Sequence, residues 1–333
     1  MNKQEPHTNR QTSRRFVFGV LLVGALAALA IFCEHQAVYD WLRLHGYQAP
    51  SDSAQLASDD TFTGTAKHIY YVNHPLLKSK ADFAKACPGG NKETAVLGCY
   101  VPDQRGIFVL SVTDVRLAGI EQVTAAHEML HAAYDRLSSR DKAQVDGWLM
   151  DYYQHDLNDQ TIIDQMDSYK KTEPNDLVNE MHSVFGTEVV GLPANLENYY
   201  HRYFANRSKV ATYYSTYEAE FSSRQAAIKQ DDAELASLKE QVQAGEADLK
   251  TKQAALGTMQ SRLVTERSSG NVAAYNAGVP AYNALVDSYN AEVATVRQLV
   301  SQYNQLVAAR NAIVLEEQQL VQDISSQAAP ISQ

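Results

Sequence analysis

The chain has 333 residues, 45% of them apolar, with 39 acidic against 29 basic side chains and a net charge of −10. That length allows one or two domains with extensions. The acidity is spread along the chain, and the absence of a basic patch argues against a nucleic-acid partner.

The N-terminus is the local exception: Lys3, Arg10, Arg14 and Arg15 face only Glu5. Residues 16–32 then carry no charge, Cys33 extends the run, and Glu34 and His35 end it. The run is at the short limit for spanning a bilayer. Positive charge before it and almost none after it predicts a cytoplasmic N-terminus and an external body. The run exceeds the usual apolar core of a signal peptide, which favours an uncleaved anchor over cleavage near Ala28 and Ala30. The expected localisation is therefore the cell membrane: a cytoplasmic tail over 1–15, a single-pass helix over 16–33, a juxtamembrane linker over 34–60 and an extracytoplasmic body.

Residues 36–45 read as a short helix carrying Trp41, Leu42 and Leu44. Residues 46–53 read as a linker, and the folded part is expected to start near Thr61. The β-branched and aromatic run 68–72 predicts a strand. Phe83 marks a short helix leading to Cys87. Segments 96–101 and 107–112 are strand candidates around a turn at 102–106, which makes a hairpin. Cys87 and Cys99 bracket a short loop, and an external location permits a disulfide between them. Closing such a loop stabilises by about 3 kcal/mol in the chain-entropy model.

Residues 120–134 contain no Gly or Pro and predict a helix. Within it stands His127-Glu128-Met129-Leu130-His131. On a helix, positions i and i+4 share a face, so His127 and His131 can bind one Zn²⁺. Glu128 between them is placed to act as general base on a water activated by that ion.

Helices follow over 137–155, 164–172 and 177–185, the last capped by Asn175 or Asp176. Gly186, Gly191 and Pro193 break the chain before an aromatic cluster at 196–204. Beyond it, apolar residues recur in heptads from Tyr214 through Phe221, Ile228, Leu235, Val242, Leu249 and Leu256 to Leu263. A second heptad stretch runs through Tyr282, Tyr289, Val296 and Tyr303, with Leu285, Leu299, Leu306, Ile313 and Leu320 three residues on. Val286, Val293, Val300, Val307 and Val314 widen that stripe, and Asn283, Asn290, Asn304 and Asn311 fall outside it. Sustained heptads mark a coiled coil. With breaks expected between 266 and 280, two helices, the first about 90 Å long at 1.5 Å per residue, fold back as an antiparallel hairpin over 205–325. Parallel self-association of chains is the alternative.

A catalytic zinc needs a third protein ligand. Asn179-Glu180-Met181-His182-Ser183, followed by Phe185-Gly186-Thr187, resembles the second motif of the gluzincin peptidases, especially the thermolysin-like group. The run from His127 to Asp135 resembles their first motif. The resemblance covers these two helices only. It implies Glu180 as third zinc ligand, Glu128 as general base and Asp135 as a carboxylate that fixes the ligand helix. It departs at Val184, where the family commonly places an Asp that orients a zinc-bound His. Glu188 is the competing ligand. An oxyanion stabiliser is sought in His201, Tyr199 or Tyr200, whose aromatic cluster could equally be core.

These readings combine into an α+β expectation: a membrane helix, a zincin-like domain over 61–204 with a small antiparallel sheet, and a coiled-coil hairpin. The expected activity is zinc-dependent hydrolysis of a peptide or protein substrate. The competing class is a cell-envelope scaffold or adhesion protein with a structural zincin domain, whose coiled coil binds a protein partner or a second copy.

Overall fold

The computed structural model describes residues 35–88, 96–103 and 105–325. They divide into two units, one of residues 35–111 and 119–214, the other of 112–118 and 215–325.

The first unit opens with α1 (His35–Leu44), α2 (Ser51–Asp59) and α3 (Gly64–Val72). Pro50 precedes α2, which buries Ser53, Leu56 and Ala57 at helical spacing,. The expected linker at 46–53 is thus half helix, and the ordered fold begins well before Thr61. The expected strand at 68–72 is also helical. The Thr63 side chain caps α3 by accepting from the Ala66 N–H at 3.3 Å. The helix then buries Ala66, Ile69, Tyr70 and Val72 while Lys67 and His68 stay exposed. A one-sided, 3.6-period burial outweighs the strand preference of Ile69, Tyr70 and Val72, because β propensity is mostly a matter of packing context. Asp40 of α1 is buried and gathers Gln36 at 2.8 Å, His68 at 2.7 Å and the Arg136 guanidinium.

Three short strands follow: β1 (Leu76–Lys78), then β2 (Gly98–Val101) and β3 (Gly106–Leu110). Between β1 and β2 lies α4 (Lys80–Ala86). The sheet order is β1-β3-β2, with β3 antiparallel to β2 but parallel to β1. The sheet is therefore mixed, not antiparallel, because β1 enters from a segment outside the hairpin and α4 intervenes before the chain returns. It covers one flank of α5 (Ile120–Asp135), whose other neighbours include α2, α3 and α8. Helices α6 (Ser139–His155), α7 (Gln160–Thr172), α8 (Leu177–Thr187) and α9 (Ala194–Tyr200) complete the unit. Every residue of α8 from Glu180 to Thr187 is buried. The α+β expectation is corrected by this count of elements: the described chain is mostly helical, and the small sheet is an accessory to α5.

Two long helices dominate the second unit. Helix α10 spans Arg207–Ser268 and starts within the first unit; α11 spans Val272–Ile324. Gly270, at φ 75°, turns the chain, and the Asn271 side chain caps α11 by accepting from the Ala274 N–H at 3.2 Å. Contacts descend α10 as they ascend α11: Gln225 with Glu317, Asp232 with Arg310, Lys252 with Glu292. The helices are antiparallel neighbours. Gly245 lies against Val296 and Gly278 against Leu263, where a Cβ on either glycine would clash. The break expected at 278–280 does not occur. Gly278 serves close helix approach, and Pro280 sits on an exposed position near the start of α11.

Among the described residues no helix is long and apolar enough to cross a membrane. The two helices with sufficient length carry charged and amide side chains throughout. The segment read as an anchor, 16–33, lies outside the described residues. The single-pass assignment and the extracytoplasmic localisation built on it are therefore withdrawn.

Candidate metal centre

Gly119 opens α5 at φ 102°, a conformation that favours glycine,. From there the helix turns His127, Glu128 and His131 inward. The Nε2 atoms of His127 and His131 face each other at 3.0 Å. Glu180, on the buried side of α8, places Oε2 at 3.7 Å from His127 Nε2 and Oε1 at 3.5 Å from His131 Nε2. One ligand atom from each of the three lies within 4.8 Å of the others. Ligands about 2.1 Å from a tetrahedral ion such as Zn²⁺ stand about 3.4 Å apart, so these spacings fit an ion with little adjustment. Two imidazole nitrogens and a carboxylate are donor types that suit a divalent transition-metal ion,.

The charges around the site point the same way. Burial works against protonation of His127, yet the Glu180 hydrogen bond and the charges of Glu128, Glu180 and Glu188 raise its pKa to about 9. Burial raises the Glu128 pKa, against the pull of His131 and His127. Burial would also raise Glu180, but its hydrogen bond to His127 and the electrostatic pull of His131 and His127 bring it below the usual carboxylate value. Three buried carboxylates thus surround two imidazoles, a set in which a divalent cation would take the place of the imidazole protons,.

Strand β2 sets the position of Glu128. The Tyr100 backbone N–H donates to its carboxylate. A Cβ on Gly98 would stand 2.6 Å from Glu128 Oε1 and 2.5 Å from Thr124 Cγ2, so only glycine lets the strand lie this close to α5. Cys99, between Gly98 and Tyr100, is disulfide-bonded to Cys87 at the end of α4, with the Cα atoms 6.1 Å apart. The disulfide ties down the strand that touches Glu128.

The other residues singled out from sequence are placed as follows. Glu188 ends α8 and is buried, with Oε1 3.9 Å from His127 Nδ1, the ring atom opposite the Nε2 that joins the ligand group. Asp135 is the exposed last residue of α5, and among the described residues no hydrogen bond or ion pair joins it to His127 or His131. His201 is exposed at the end of α9. The Tyr200 hydroxyl is buried and donates to the His182 carbonyl at 2.6 Å. His182 packs among Tyr199, Tyr200 and Tyr203, with Nε2 2.8 Å from the Tyr199 hydroxyl. Burial, then the charges of His131, His127 and Lys142, press its pKa down to about 3. The aromatic cluster is core.

Sequence reasoning missed Tyr169. Its hydroxyl bonds the Glu180 carboxylate, and burial, followed by Glu180, Glu188 and Glu128, holds its pKa well above that of an ordinary phenol. The signal was present: Ile162 and Met166 are the buried residues of α7, and position 169 continues their face,. Glu173 and Asp176 also bring carboxylate oxygens within 4.8 Å of one on Glu180, although both residues are exposed.

Comparison with protein-family models, with characterised proteins and with solved structures gives no match to this chain.

Proposed function

We propose that this protein is a zinc-dependent hydrolase that cleaves peptide bonds with water. The observation that carries the reading is the convergence of His127 Nε2, His131 Nε2 and the Glu180 carboxylate beside a buried Glu128. The likeness of the two motif helices to gluzincins supports it.

Bound there, a zinc ion supplies a Lewis acid that polarises the substrate carbonyl and acidifies water. Glu128 then takes the proton of the attacking water and passes it to the leaving amine, which its raised pKa suits,. The Tyr169 hydroxyl, turned from Glu180, is the candidate donor to the developing oxyanion in place of His201 or Tyr200,. Glu188 stands where it can hold the His127 ring through Nδ1, the duty left open by Val184,.

The test uses the full chain. Zinc content near one per chain and hydrolysis of a peptide library are expected for the wild type. Glu128→Gln is expected to keep the zinc and lose about 10²–10⁴-fold in kcat. Stoichiometric zinc with no turnover of any peptide, or unchanged turnover in Glu128→Gln, overturns the reading.

A further inference from the structure

The two long helices are built differently on their flanks. Helix α10 has one apolar seam, and the positions beside it are polar: Glu218, Gln225, Asp232, Lys239 and Glu246 along one side. That pattern suits a helix with one neighbour. Helix α11 adds a third apolar row. Valine occupies every seventh position from Val279 to Val321, without interruption. The row lies one step beyond the residues that meet α10, such as Val296 and Arg310. None of its valines is buried, and Val300 and Val321 are 40% and 47% exposed. Valine is a poor helix former because its branched Cβ loses rotamer freedom there. Seven on one half-exposed row work against the helix unless something packs on them.

We propose that the occupant is the same row of a second copy, the two α11 helices pairing antiparallel about a twofold axis at Val300. A uniform row matches itself under such an axis: Val300 meets Val300, and Val293 meets Val307 of the other copy. An isologous contact of this kind closes at two subunits. Charge favours a like partner here and nowhere more. The chain carries −10 overall, yet from 272 to 309 its only charged residues are Asp287, Glu292 and Arg297, and Glu292 is paired with Lys252. Beyond the valines runs the exposed row Asn283, Asn290, Arg297, Asn304 and Asn311, a polar rim with one charge, whose asparagines are able to hydrogen-bond across the twofold,. At 1.5 Å per residue the row is about 60 Å long; at a width of about 10 Å it offers roughly 600 Å² per copy, close to what a stable pair buries.

The experiment is oxidative crosslinking of the full chain in a Cys33→Ser background. Val300→Cys is expected to give a disulfide-linked dimer more than about tenfold faster than Gln298→Cys on the far side of α11, since pairing raises the effective thiol concentration. An equimolar mixture of Val293→Cys and Val307→Cys chains is expected to crosslink faster than either alone. Sedimentation is expected to show a dimeric wild type and a monomeric Val293→Glu/Val307→Glu variant of unchanged helicity. A wild type that stays monomeric, a Val300→Cys rate equal to that of Gln298→Cys, or self-linking of Val293→Cys chains in preference to the mixture would each overturn the pairing. A monomer that captures a different protein's helix would do so too.

Discussion

Inside the residue 35–214 unit lie Asp40, Asp60, Glu128, His131, Glu180, Glu188 and Arg207. Within the hairpin the buried side chains of α10 and α11 are Tyr217, Leu238, Val296 and Leu320, all apolar or aromatic. Its seam ions stay partly exposed and paired, as in Arg224 with Glu316 and Arg310 with Asp232. A buried charge is costly unless it is paired or used. The hairpin avoids that cost. The first unit accepts it at three kinds of place. Arg207 is paired: it bonds Glu197 and the carbonyls of Phe185, Val189 and Val190, and so holds the chain just beyond Glu188. The cluster of His127, His131, Glu128, Glu180 and Glu188 has a use if it holds an ion. Asp60 has neither, since both its carboxylate oxygens are buried without a hydrogen-bond partner.

Core truncation breaks the comparison most sharply. Met129→Ala removes a fully buried side chain from α5 and is expected to cost about 2–5 kcal/mol in denaturant unfolding,. Leu249→Ala on the half-exposed seam of α10 is expected to cost only about 1 kcal/mol,. Equal costs would mean that the hairpin is packed as tightly as the first unit. Next in size, Tyr169→Phe is expected to lower kcat by about 10²–10³-fold while zinc content and the CD spectrum stay unchanged. If the phenol serves only to brace Glu180, zinc affinity will fall instead.

Glu188→Gln keeps the shape and loses the charge behind His127. It is expected to weaken zinc binding by about 10–100-fold against a competing chelator,. Asp135→Asn, at an exposed site, is expected to leave zinc affinity unchanged. The smallest effect concerns pH. Burial, then the neighbouring Asp59, raises the Asp60 pKa well above 3.8, with Lys209 opposing. The folded chain therefore holds this proton more tightly than the unfolded chain. Its contribution is fully present below the ordinary carboxylate range and declines as pH rises from there through the raised value. Asp60→Asn is expected to flatten that decline, and parallel wild-type and variant stability curves between acid and neutral pH would refute the assignment.

Legibility differed along the same divide. The hairpin could be read in detail, from the heptad rows to the exposed asparagines, because the two helices meet along one seam that repeats every seven residues,. The proline at 280 misled because α11 runs through it, with the ring on an exposed position. In the first unit, His127 and His131 were legible from local geometry, and Glu180 from the resemblance of its helix. Tyr169 and the position of Glu188 were not: Tyr169 comes from α7, and Glu188, two turns beyond Glu180 at the end of α8, reaches the opposite side of the His127 ring, and neither pattern states what lies opposite.

What the amino-acid sequence determined unaided is what repeats along one element: the i, i+4 histidines of α5, the helices over 137–172 and the seam of the hairpin. The tertiary structure alone decided the helical state of 68–72, the parallel pairing of β1 with β3, the gap that only Gly98 leaves for Glu128, and the approach of Glu188 to His127. Periodicity reports which face of an element is buried. What that face is buried against comes from residues far away in the chain, and the chemistry of the site lies in those pairings.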